Sequence, residues 1–313
     1  MLRTNYSMNK LLLVIQGPTA SGKTALAVEL AKKFDTVIFS ADSRQFYKEL
    51  SIGTAKPTEI EMQGVKHYFV DSHSIHDKIT AASYVSELKP ILSTEFSNNN
   101  IIILVGGSGM YIDALCYGLD DLPVNEFFKN QLIEDFQTNG LKPLLNELEI
   151  KDPEYFEKVD KQNSVRIIRA LEVIRTSGKT YSSFLTKTKN KEHLFDIIKV
   201  TIDLEREILY DRINQRVDLM VRNGLEEEAR SVFDYRELQA LQTVGYSEWF
   251  DFFDGKFDKN ETIERIKQNT RRYAKRQLTW FRRDKSVVWL KGKNIESQLE
   301  EIQKNVNSWK NEN

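Results

Sequence analysis

The first third of the chain alternates between continuous apolar runs and amphipathic segments. Residues 11–15 and 101–105 are uninterrupted apolar runs, which is typical of strands buried in a parallel sheet. Residues 36–40 form a shorter run of β-branched and aromatic residues, and residues 67–71 form a weaker one. Helical periodicity lies between these runs and is clearest over residues 81–96. The alternation predicts an α/β fold in which helices flank a parallel sheet.

The hydrophobic pattern changes after residue 117. Residues 118–192 contain helical segments and no convincing strand, whereas residues 195–204 alternate like a strand and return the chain to the sheet. We therefore interpret residues 118–195 as an all-helical inserted domain. Residues 1–117 and 196–313 would then form the core domain, which continues with further helices, a last short strand and a final amphipathic helix.

A phosphate-binding pattern, G-x-x-x-x-G-K-[ST], lies between the first predicted strand and the first predicted helix. Its residues are Gly17, Pro18, Thr19, Ala20, Ser21, Gly22, Lys23 and Thr24. The glycines allow a tight turn whose N–H groups point at an anion, and the helix N-terminus adds positive partial charge. We expect Lys23 to reach phosphate oxygens and Thr24 to offer its hydroxyl to Mg²⁺. The alternative is a chance match in an ordinary strand-turn-helix, and the loop does not say what happens to a bound diphosphate or triphosphate.

Asp42 follows the second predicted strand, within the polar residues 41–45. Ligands of open α/β sheets bind beyond the carboxyl ends of the strands, so we expect Asp42 near the ligand of the phosphate loop. Composition alone favours another role, because Asp and Ser are both good residues for capping the helix that would follow.

Two other loops contain candidate chemistry. The most apolar strand runs into the glycine-rich residues 106–109, which would let another molecule approach the backbone, although glycines also serve tight helix-sheet packing. The loop after the third candidate strand, residues 67–71, contains Asp71, His73, His76 and Asp77. These four residues could form a metal cluster, with Asp71 as a magnesium carboxylate, but a solvated loop is the favoured interpretation.

Residues 265–285 combine nine basic residues with one acid, Asp284. Basic side chains track a phosphate backbone and interleaved aromatic rings stack on unpaired bases, so this stretch favours nucleic acid over a solvated helix face. Three more arginines, Arg166, Arg169 and Arg175, lie near one face of a predicted helix. For these three, a solvated surface is favoured over contact with a polyanion.

Composition excludes several classes of protein. The 313 residues are 40% hydrophobic, which supports one or two domains with real cores. No apolar run approaches the roughly 18 residues of a membrane span, and the N-terminus lacks a signal-peptide pattern. The single cysteine, Cys116, excludes an internal disulfide and a cysteine-rich zinc site, which suits a reducing cytosol. Because the net charge is -1, any nucleic acid must bind to a local basic patch.

Taken together, these stretches resemble the bacterial tRNA dimethylallyltransferases, also called tRNA isopentenyltransferases. The matching motifs are the phosphate loop and residues 40–45, 52–57 and 106–111, followed by residues 169–174, 244–246 and 273–282. The resemblance extends from about residue 11 to residue 290. The ordered run of motifs is highly specific, whereas no single motif is.

The resemblance implies a reaction and its partners. The prenyl group of dimethylallyl diphosphate would move to N6 of the adenosine just 3′ of the anticodon of certain tRNAs, with Mg²⁺ as cofactor. It also implies a core with an adenylate-kinase-like P-loop sheet and a helical insertion that grips the anticodon arm. The target base would be flipped into a channel that the diphosphate enters from the other side. We expect a cytoplasmic, monomeric enzyme without a membrane segment.

The resemblance also implies roles for individual residues. Asp42 matches the general base that takes a proton from N6, Thr19 matches a residue at the reacting centre, and Arg216 matches an arginine that clamps the diphosphate. The phosphate loop would hold the leaving group, and Thr24 would contact the metal. The positions that match tRNA contacts are Asp42, Ser43, Arg44, Gln45, Ser108, Val165, Arg166, Ile167, Ile168, Arg169, Leu241, Gln242, Thr243, Val244, Gly245, Tyr246, Lys275, Arg276, Gln277, Leu278, Thr279, Trp280, Phe281 and Arg282.

Two positions depart from the family pattern. Ser108 stands where Thr is usual and Met110 where Leu is usual, and both keep the chemical character. With one cysteine, the chain cannot form the zinc finger of eukaryotic relatives.

Two other functions remain open. A small-molecule kinase could use the same phosphate loop, but the strand at residues 101–105 ends in glycine rather than in an acid that holds magnesium. The third possibility is an RNA-binding protein that merely senses a nucleotide.

Overall fold

A six-stranded sheet is the centre of the fold. The computed structural model describes residues 10–185 and 195–312. The strands are β1 (Leu11–Gln16), β2 (Ile38–Ser40), β3 (His67–Tyr68), β4 (Ile101–Gly106), β5 (Asp196–Ile202) and β6 (Val288–Leu290). Their order is β3-β2-β4-β1-β5-β6, and all five neighbouring pairs are parallel. The predicted α/β class with a parallel sheet is therefore confirmed.

Thirteen α-helices connect and cover these strands within the described residues. The first four are α1 (Lys23–Phe34), α2 (Glu59–Met62), α3 (Ala81–Asn98) and α4 (Gly109–Tyr117). Four follow between β4 and β5, namely α5 (Glu126–Asn139), α6 (Lys142–Lys151), α7 (Pro153–Lys158) and α8 (Ser164–Ser177). The last five are α9 (Arg206–Arg222), α10 (Leu225–Ser231), α11 (Tyr246–Phe253), α12 (Lys259–Phe281) and α13 (Ile295–Glu312).

The apolar runs form strands because both faces of the central strands are covered. Every residue of β1 and β4 is buried, and their side chains share a core with α1. Helix α13 completes this core with Ile302, Val306 and Trp309, and the indole Nε1 of Trp309 donates to Asp196 Oδ2 at 2.7 Å. The C-terminal helix is thereby fixed to the first residue of β5.

Strand β3 is shorter than the predicted residues 67–71. It ends at Tyr68, because Phe69 and Asp71 have φ values of 61° and 53°. These values lie in the left-handed region, which an extended strand cannot contain. Residues 41–50 also differ from expectation, since they form turns and no helix begins there.

The chain divides into two compact units. One comprises Met1–Cys116 together with Glu192–Asn313, and the other is Tyr117–Lys191. The predicted boundaries of the insertion were residues 118 and 195, and the stretch 186–194 lies outside the described residues. The described part of the smaller unit is helical, with its own core of leucine, isoleucine and phenylalanine side chains from α5, α6, α7 and α8.

Two of the three arginines on α8 stabilise the smaller unit itself. Arg169 donates to the carbonyls of Leu122 and Pro123 and pairs with the buried Glu172 at 2.8 Å. Arg175 binds both oxygens of Glu147, at 3.0 and 2.6 Å. The sequence had predicted either a solvated surface or contact with a polyanion, and neither describes Arg169 and Arg175. Arg166 is exposed, which agrees with both a solvated surface and contact with a polyanion.

The described helices give no candidate for a membrane span, since none combines the necessary length with sufficient apolar character.

Candidate functional site

Three loops meet at the carboxyl edge of the sheet. They follow β1, β2 and β4, and hydrogen bonds connect the last two. Ala41 N donates to Val105 O at 2.7 Å, Ser108 N donates to Ala41 O at 3.2 Å, and Ser43 N donates to the Ser108 hydroxyl at 3.0 Å. A Cβ at position 106 would lie 2.4 Å from the Ala41 carbonyl, so the close approach requires glycine there.

The phosphate loop has the geometry that its sequence pattern predicts. Gly22 precedes α1 with φ 93°, and Ala20 also has a positive φ, of 63°. Both values turn the backbone in the way that forms an anion-binding concavity. The Ser21 hydroxyl is buried and has no hydrogen-bond partner within residues 10–185 and 195–312. A buried polar atom of this kind costs free energy unless a ligand or water satisfies it, which is consistent with an anion site.

Lys23 is the buried cation of this loop. Its Nζ donates to the carbonyl of Pro18 at 3.4 Å. Burial lowers the pKa of Lys23 to about 8, the nearby Asp42 carboxylate partly opposes this, and the Arg216 guanidinium lowers the pKa further. A protonated lysine here lacks a full counter-charge, and an added phosphate oxygen would supply one.

A cleft opens beside the phosphate loop, on the carboxyl side of the sheet. Its lining residues come from six separate segments of the larger unit. They are Thr19, Asp42, Arg44, Gly53, Thr54, Ala55, Arg216, Val217, Met220, Thr243, Val244, Gly245, Ile266, Thr270, Tyr273 and Gln277. The structure therefore brings all three predicted catalytic residues, Thr19, Asp42 and Arg216, to one cleft.

Arg216 reaches the phosphate loop from α9. Its Nη1 donates to the Thr19 hydroxyl at 3.4 Å. Burial lowers the pKa of Arg216, while Glu61 and Asp42 raise it. Because guanidinium keeps its proton at neutral pH, this half-buried group adds a second positive charge near Lys23. Two partly uncompensated cations beside an anion-binding loop are suited to a ligand that carries several negative charges.

Asp42 caps a turn, not a helix. Its Oδ1 accepts from Arg44 N at 3.2 Å, and its carbonyl accepts from Gln45 N at 3.1 Å. The helix-cap interpretation is therefore wrong, because the next helix is α2, which has Thr58 as its own cap. No hydrogen bond from the described residues reaches Oδ2, so this oxygen can accept a proton from a ligand in the cleft.

Glu228 was missed by sequence reasoning and shapes one wall of the cleft. Its carboxylate accepts from the backbone N–H groups of Ser51, Ile52 and Gly53 at 2.8–2.9 Å and from the Tyr246 hydroxyl at 2.6 Å. Four donors on one carboxylate hold residues 51–55 in place. In the sequence, Glu228 lies in an acidic first turn of a helix, which is a common feature of helices. No local signal therefore identified this role.

Tyr273 lines the cleft and was not predicted as a site residue. It lies on the cleft-facing side of α12. Burial raises the pKa of Tyr273 to about 12, and the negative charge of Asp42 adds to the effect. Its phenol therefore stays protonated at neutral pH and can donate a hydrogen bond into the cleft. In the sequence, the one signal for a role of Tyr273 in the site was its position among basic residues.

Several predicted tRNA contacts are occupied by bonds within the protein. Arg44 donates to the carbonyls of residues 239, 240 and 242, and the Gln45 amide donates to those of Thr54 and Ala55. Trp280 donates to Asp113 Oδ2 at 2.8 Å. These side chains fix loops and helices of the larger unit, and their donors already have partners.

Among the other positions predicted to contact tRNA, which remain predictions, six have buried side chains. The fully or almost fully buried side chains are Ile167, Ile168, Leu241, Tyr246, Gln277 and Phe281. In contrast, Val165, Arg166, Gln242, Lys275, Arg276, Thr279 and Arg282 are exposed. Ser43, Ser108, Thr243, Val244 and Leu278 are half-buried, and Gly245 lines the cleft. The motifs were predicted as continuous runs, whereas helical periodicity exposes only part of each run.

The loop after β3 is not a metal cluster. Lys56 pairs with Asp71, His73 contacts Glu87 at 3.0 Å, and Asp77 accepts from Ser74 N. Among residues 10–185 and 195–312, no group of three or more His, Cys, Asp or Glu side chains could hold a metal ion. Asp71 is engaged by a lysine and His73 by a glutamate, so the polar side chains of this loop bind partners within the protein.

The chain matches a known family and several of its members. A model of the IPP transferase family matches residues 45–284, which is more than half of the chain. A tRNA dimethylallyltransferase of Cytophaga hutchinsonii is 49% identical over 283 residues, covering 90% of this chain and 93% of that protein. The tRNA dimethylallyltransferase 1 of Bacteroides fragilis is 47% identical over 281 residues, with the same coverage.

Two solved structures extend this similarity to the fold. The full-length tRNA isopentenylpyrophosphate transferase of Bacillus halodurans is 33% identical, with a TM-score of 0.71, over 97% of this chain and 99% of that chain. A eukaryotic dimethylallyltransferase acting on tRNA is 25% identical, with a TM-score of 0.72, over 87% of this chain and 70% of that chain.

The lowered pKa of Lys23 predicts that binding of inorganic pyrophosphate depends on pH. A bound anion raises the pKa of the lysine, because opposite charge favours the protonated form. Above about pH 8, binding therefore takes up a proton. We expect affinity to fall by up to about tenfold per pH unit relative to Lys23→Arg, whose guanidinium stays protonated.

Titration calorimetry in buffers of different ionisation enthalpy measures both the affinity and the proton uptake. Because the protonation of pyrophosphate itself is common to both proteins, it cancels in the comparison. Parallel pH slopes for wild type and Lys23→Arg would show that the lysine is already fully protonated in the free protein.

Proposed function

This chain belongs to the IPP transferase family, and we propose from that premise that it is an enzyme that transfers a dimethylallyl group to tRNA. The donor is dimethylallyl diphosphate, and the acceptor is N6 of the adenosine 3′-adjacent to the anticodon. One observation supports this function above all: Asp42, Thr19 and Arg216 line the same cleft, beside the phosphate loop. The family match starts at residue 45, so the roles of Asp42 and the phosphate loop rest on this geometry.

The reaction needs a base and an anion site on opposite sides of one carbon atom. The C–O bond of the donor breaks, and its electron pair leaves with the diphosphate. A bond forms between that carbon and N6, and the N6 proton passes to the free Oδ2 of Asp42. The exocyclic amine is barely basic, so removal of its proton is what makes it a competent nucleophile.

Two positive side chains stabilise the leaving group. Negative charge on the diphosphate grows as the bond breaks, and Lys23, Arg216 and the N–H groups of the phosphate loop face that charge. Hydrogen bonds to the loop position both side chains before the reaction, so they need little reorganisation during it. The Tyr273 hydroxyl, protonated at neutral pH, is a further donor in the cleft.

Residues of the phosphate loop fit a divalent cation, which we propose is Mg²⁺. Since residues 10–185 and 195–312 contain no cage of carboxylates, the ion would be held by diphosphate oxygens, water and the Thr24 hydroxyl, an arrangement that Mg²⁺ favours. The unpartnered Ser21 hydroxyl adds a polar group to the same loop. When bound, Mg²⁺ neutralises charge on the leaving diphosphate.

The exposed face of α12 is the proposed RNA-binding surface of the larger unit. Lys275, Arg276, Thr279 and Arg282 are exposed on or just after this helix. Such side chains bind a phosphate backbone. Because a base in a folded RNA loop is stacked, the target adenosine must be flipped into the cleft. In the smaller unit, the exposed Val165 and Arg166 are the corresponding candidates for contact with the anticodon arm.

Partner and location follow from the substrate. We propose that the enzyme is a monomer whose cleft lies within the larger unit. We propose that the enzyme acts in the cytoplasm, where its tRNA substrates are.

The function predicts a specific loss of a modified nucleoside. In a strain that lacks this gene, we expect N6-dimethylallyladenosine and its derivatives to disappear from tRNA. The wild-type gene should restore them, and a gene encoding Lys23→Ala should not. Nucleoside mass spectrometry of purified tRNA measures this. A tRNA pool unaffected by loss of the gene would contradict the function, and turnover of labelled ATP without RNA would favour a kinase instead.

Asp42→Asn is expected to lower kcat about 10²- to 10⁴-fold, as for other lost general bases. The amide oxygen still accepts from Arg44 N, so the turn is kept while the base is removed. Single-turnover transfer from labelled dimethylallyl diphosphate to an anticodon stem-loop measures the rate. The control is Asp203→Asn, which changes an exposed aspartate of the same unit. Normal turnover by Asp42→Asn would show that another group accepts the proton.

Replacement of both Lys275 and Arg276 by alanine should weaken tRNA binding. It should also reduce the slope of log affinity against log salt by about 1 to 2, because each phosphate contact contributes to that slope. Filter binding at several salt concentrations measures both quantities. The matched control removes two exposed charges of α13, Lys304 and Lys310. If both double variants changed the slope equally, the effect would come from overall charge and not from this face of α12.

A further inference from the structure

The carboxamide of Gln277 connects two loops that are distant in sequence. Its Oε1 accepts from the backbone N–H of Thr19 at 3.0 Å, and its Nε2 donates to the carbonyl of Gly107 at 2.9 Å. Thr19 is 258 residues away along the chain, and Gly107 is 170 residues away. The side chain is only 6% exposed, although it belongs to the helix turn that also presents Lys275 and Arg276.

The neutral amide satisfies both loops at once. Gln277 must present an acceptor to an N–H group and a donor to a carbonyl from two atoms of one planar group. A carboxylate would accept from Thr19 but would turn its second oxygen towards the Gly107 carbonyl. A Cβ at position 107 would lie 2.3 Å from Nε2, so glycine at 107 makes room for the amide.

Each loop leads directly to a residue of the proposed reaction. On one side, the Thr19 hydroxyl accepts from Arg216 Nη1, so the position of Thr19 affects the diphosphate clamp. On the other side, Gly107 precedes Ser108, whose hydroxyl accepts from Ser43 N next to Asp42. The carboxamide therefore lies between the anion site and the base, and it sets the distance between their loops.

We propose that Gln277 is a positioning residue for prenyl transfer and not a contact to RNA. It holds the phosphate loop and the Gly107 turn at a fixed separation. At this separation, the leaving diphosphate and the carboxylate of Asp42 face the same substrate carbon from opposite sides. This inference rests on the proposed function. Helix α12 thus has two roles on two faces, with Gln277 directed inward to the loops and Lys275 and Arg276 directed outward.

The test compares Gln277→Glu with Gln277→Leu across pH. Ionised glutamate accepts from Thr19 and repels Gly107, whereas the protonated acid donates to Gly107 and restores both bonds. We expect Gln277→Glu to lose about 10- to 100-fold in kcat at high pH, as displaced catalytic groups do, and to regain it as pH falls. Gln277→Leu should lose a similar factor at every pH. The Kd for the anticodon stem-loop should stay at the wild-type value in both variants.

The matched control is Gln268→Glu, an exposed position of the same helix, which should behave as wild type at every pH. Lys23, Asp42, Arg216 and Tyr273 face the same site and are present in all of these proteins. Rates divided by the wild-type rate at the same pH therefore isolate the new carboxyl group. If the leucine variant does not fold, Gly107→Ala displaces the same amide by its Cβ and should lower kcat with RNA affinity kept.

Two results would overturn the proposal. A raised Kd for RNA with unchanged kcat would make Gln277 an RNA contact. A loss of kcat in Gln277→Glu that does not recover at low pH would mean that the amide contributes packing and not its paired bonds. Failure of the proposed function looks different, because wild type itself would then transfer no prenyl group.

Discussion

The parallel pairing of β4 with both β1 and β2 is the constraint on which the candidate site depends. The register places Gln16 opposite Gly106 and Ser40 opposite Val105, so the three strands end within one residue of each other. The loops that follow must leave from this common edge. The phosphate loop and Asp42 therefore arrive close together, although the pairing itself involves only apolar, buried strands.

Polar side chains then set the shape of the cleft above that edge. Arg44 holds the loop before α11 through its carbonyls, Glu228 holds the loop after β2 through its N–H groups, and Gln277 joins the phosphate loop to the turn after β4. Each bond satisfies a backbone group that would cost about 1 to 3 kcal/mol if buried and unpaired. Loops fixed in this way present Asp42 and the cations to a ligand without first becoming ordered, which is how preorganised sites lower a reaction barrier.

Sequence reasoning was most successful where structure depends on neighbouring residues. All six predicted strands are present, because a continuous apolar run is a local pattern and burial on both faces requires it. The ordered motifs also identified the family correctly. The predicted RNA contacts remain predictions, and the structure divides them by exposure. A motif is a continuous run of residues, whereas a helix exposes only one side of that run. Lys275 and Arg276 face solvent, but Gln277 and Phe281 of the same run are buried.

By itself, the sequence determined the α/β class, the phosphate loop and the basic stretch, because composition, periodicity and spacing carry these properties. The family was identified from the resemblance of its ordered motifs. Only the tertiary structure decided that Asp42 caps a turn with one oxygen free, that Arg44 is engaged by carbonyls, and that Glu228 and Gln277 hold the walls of the cleft. The roles of Arg44, Glu228 and Gln277 come from hydrogen bonds between residues about 170 to 260 positions apart. A single sequence contains no periodicity at such distances, so folding alone brings the partners together.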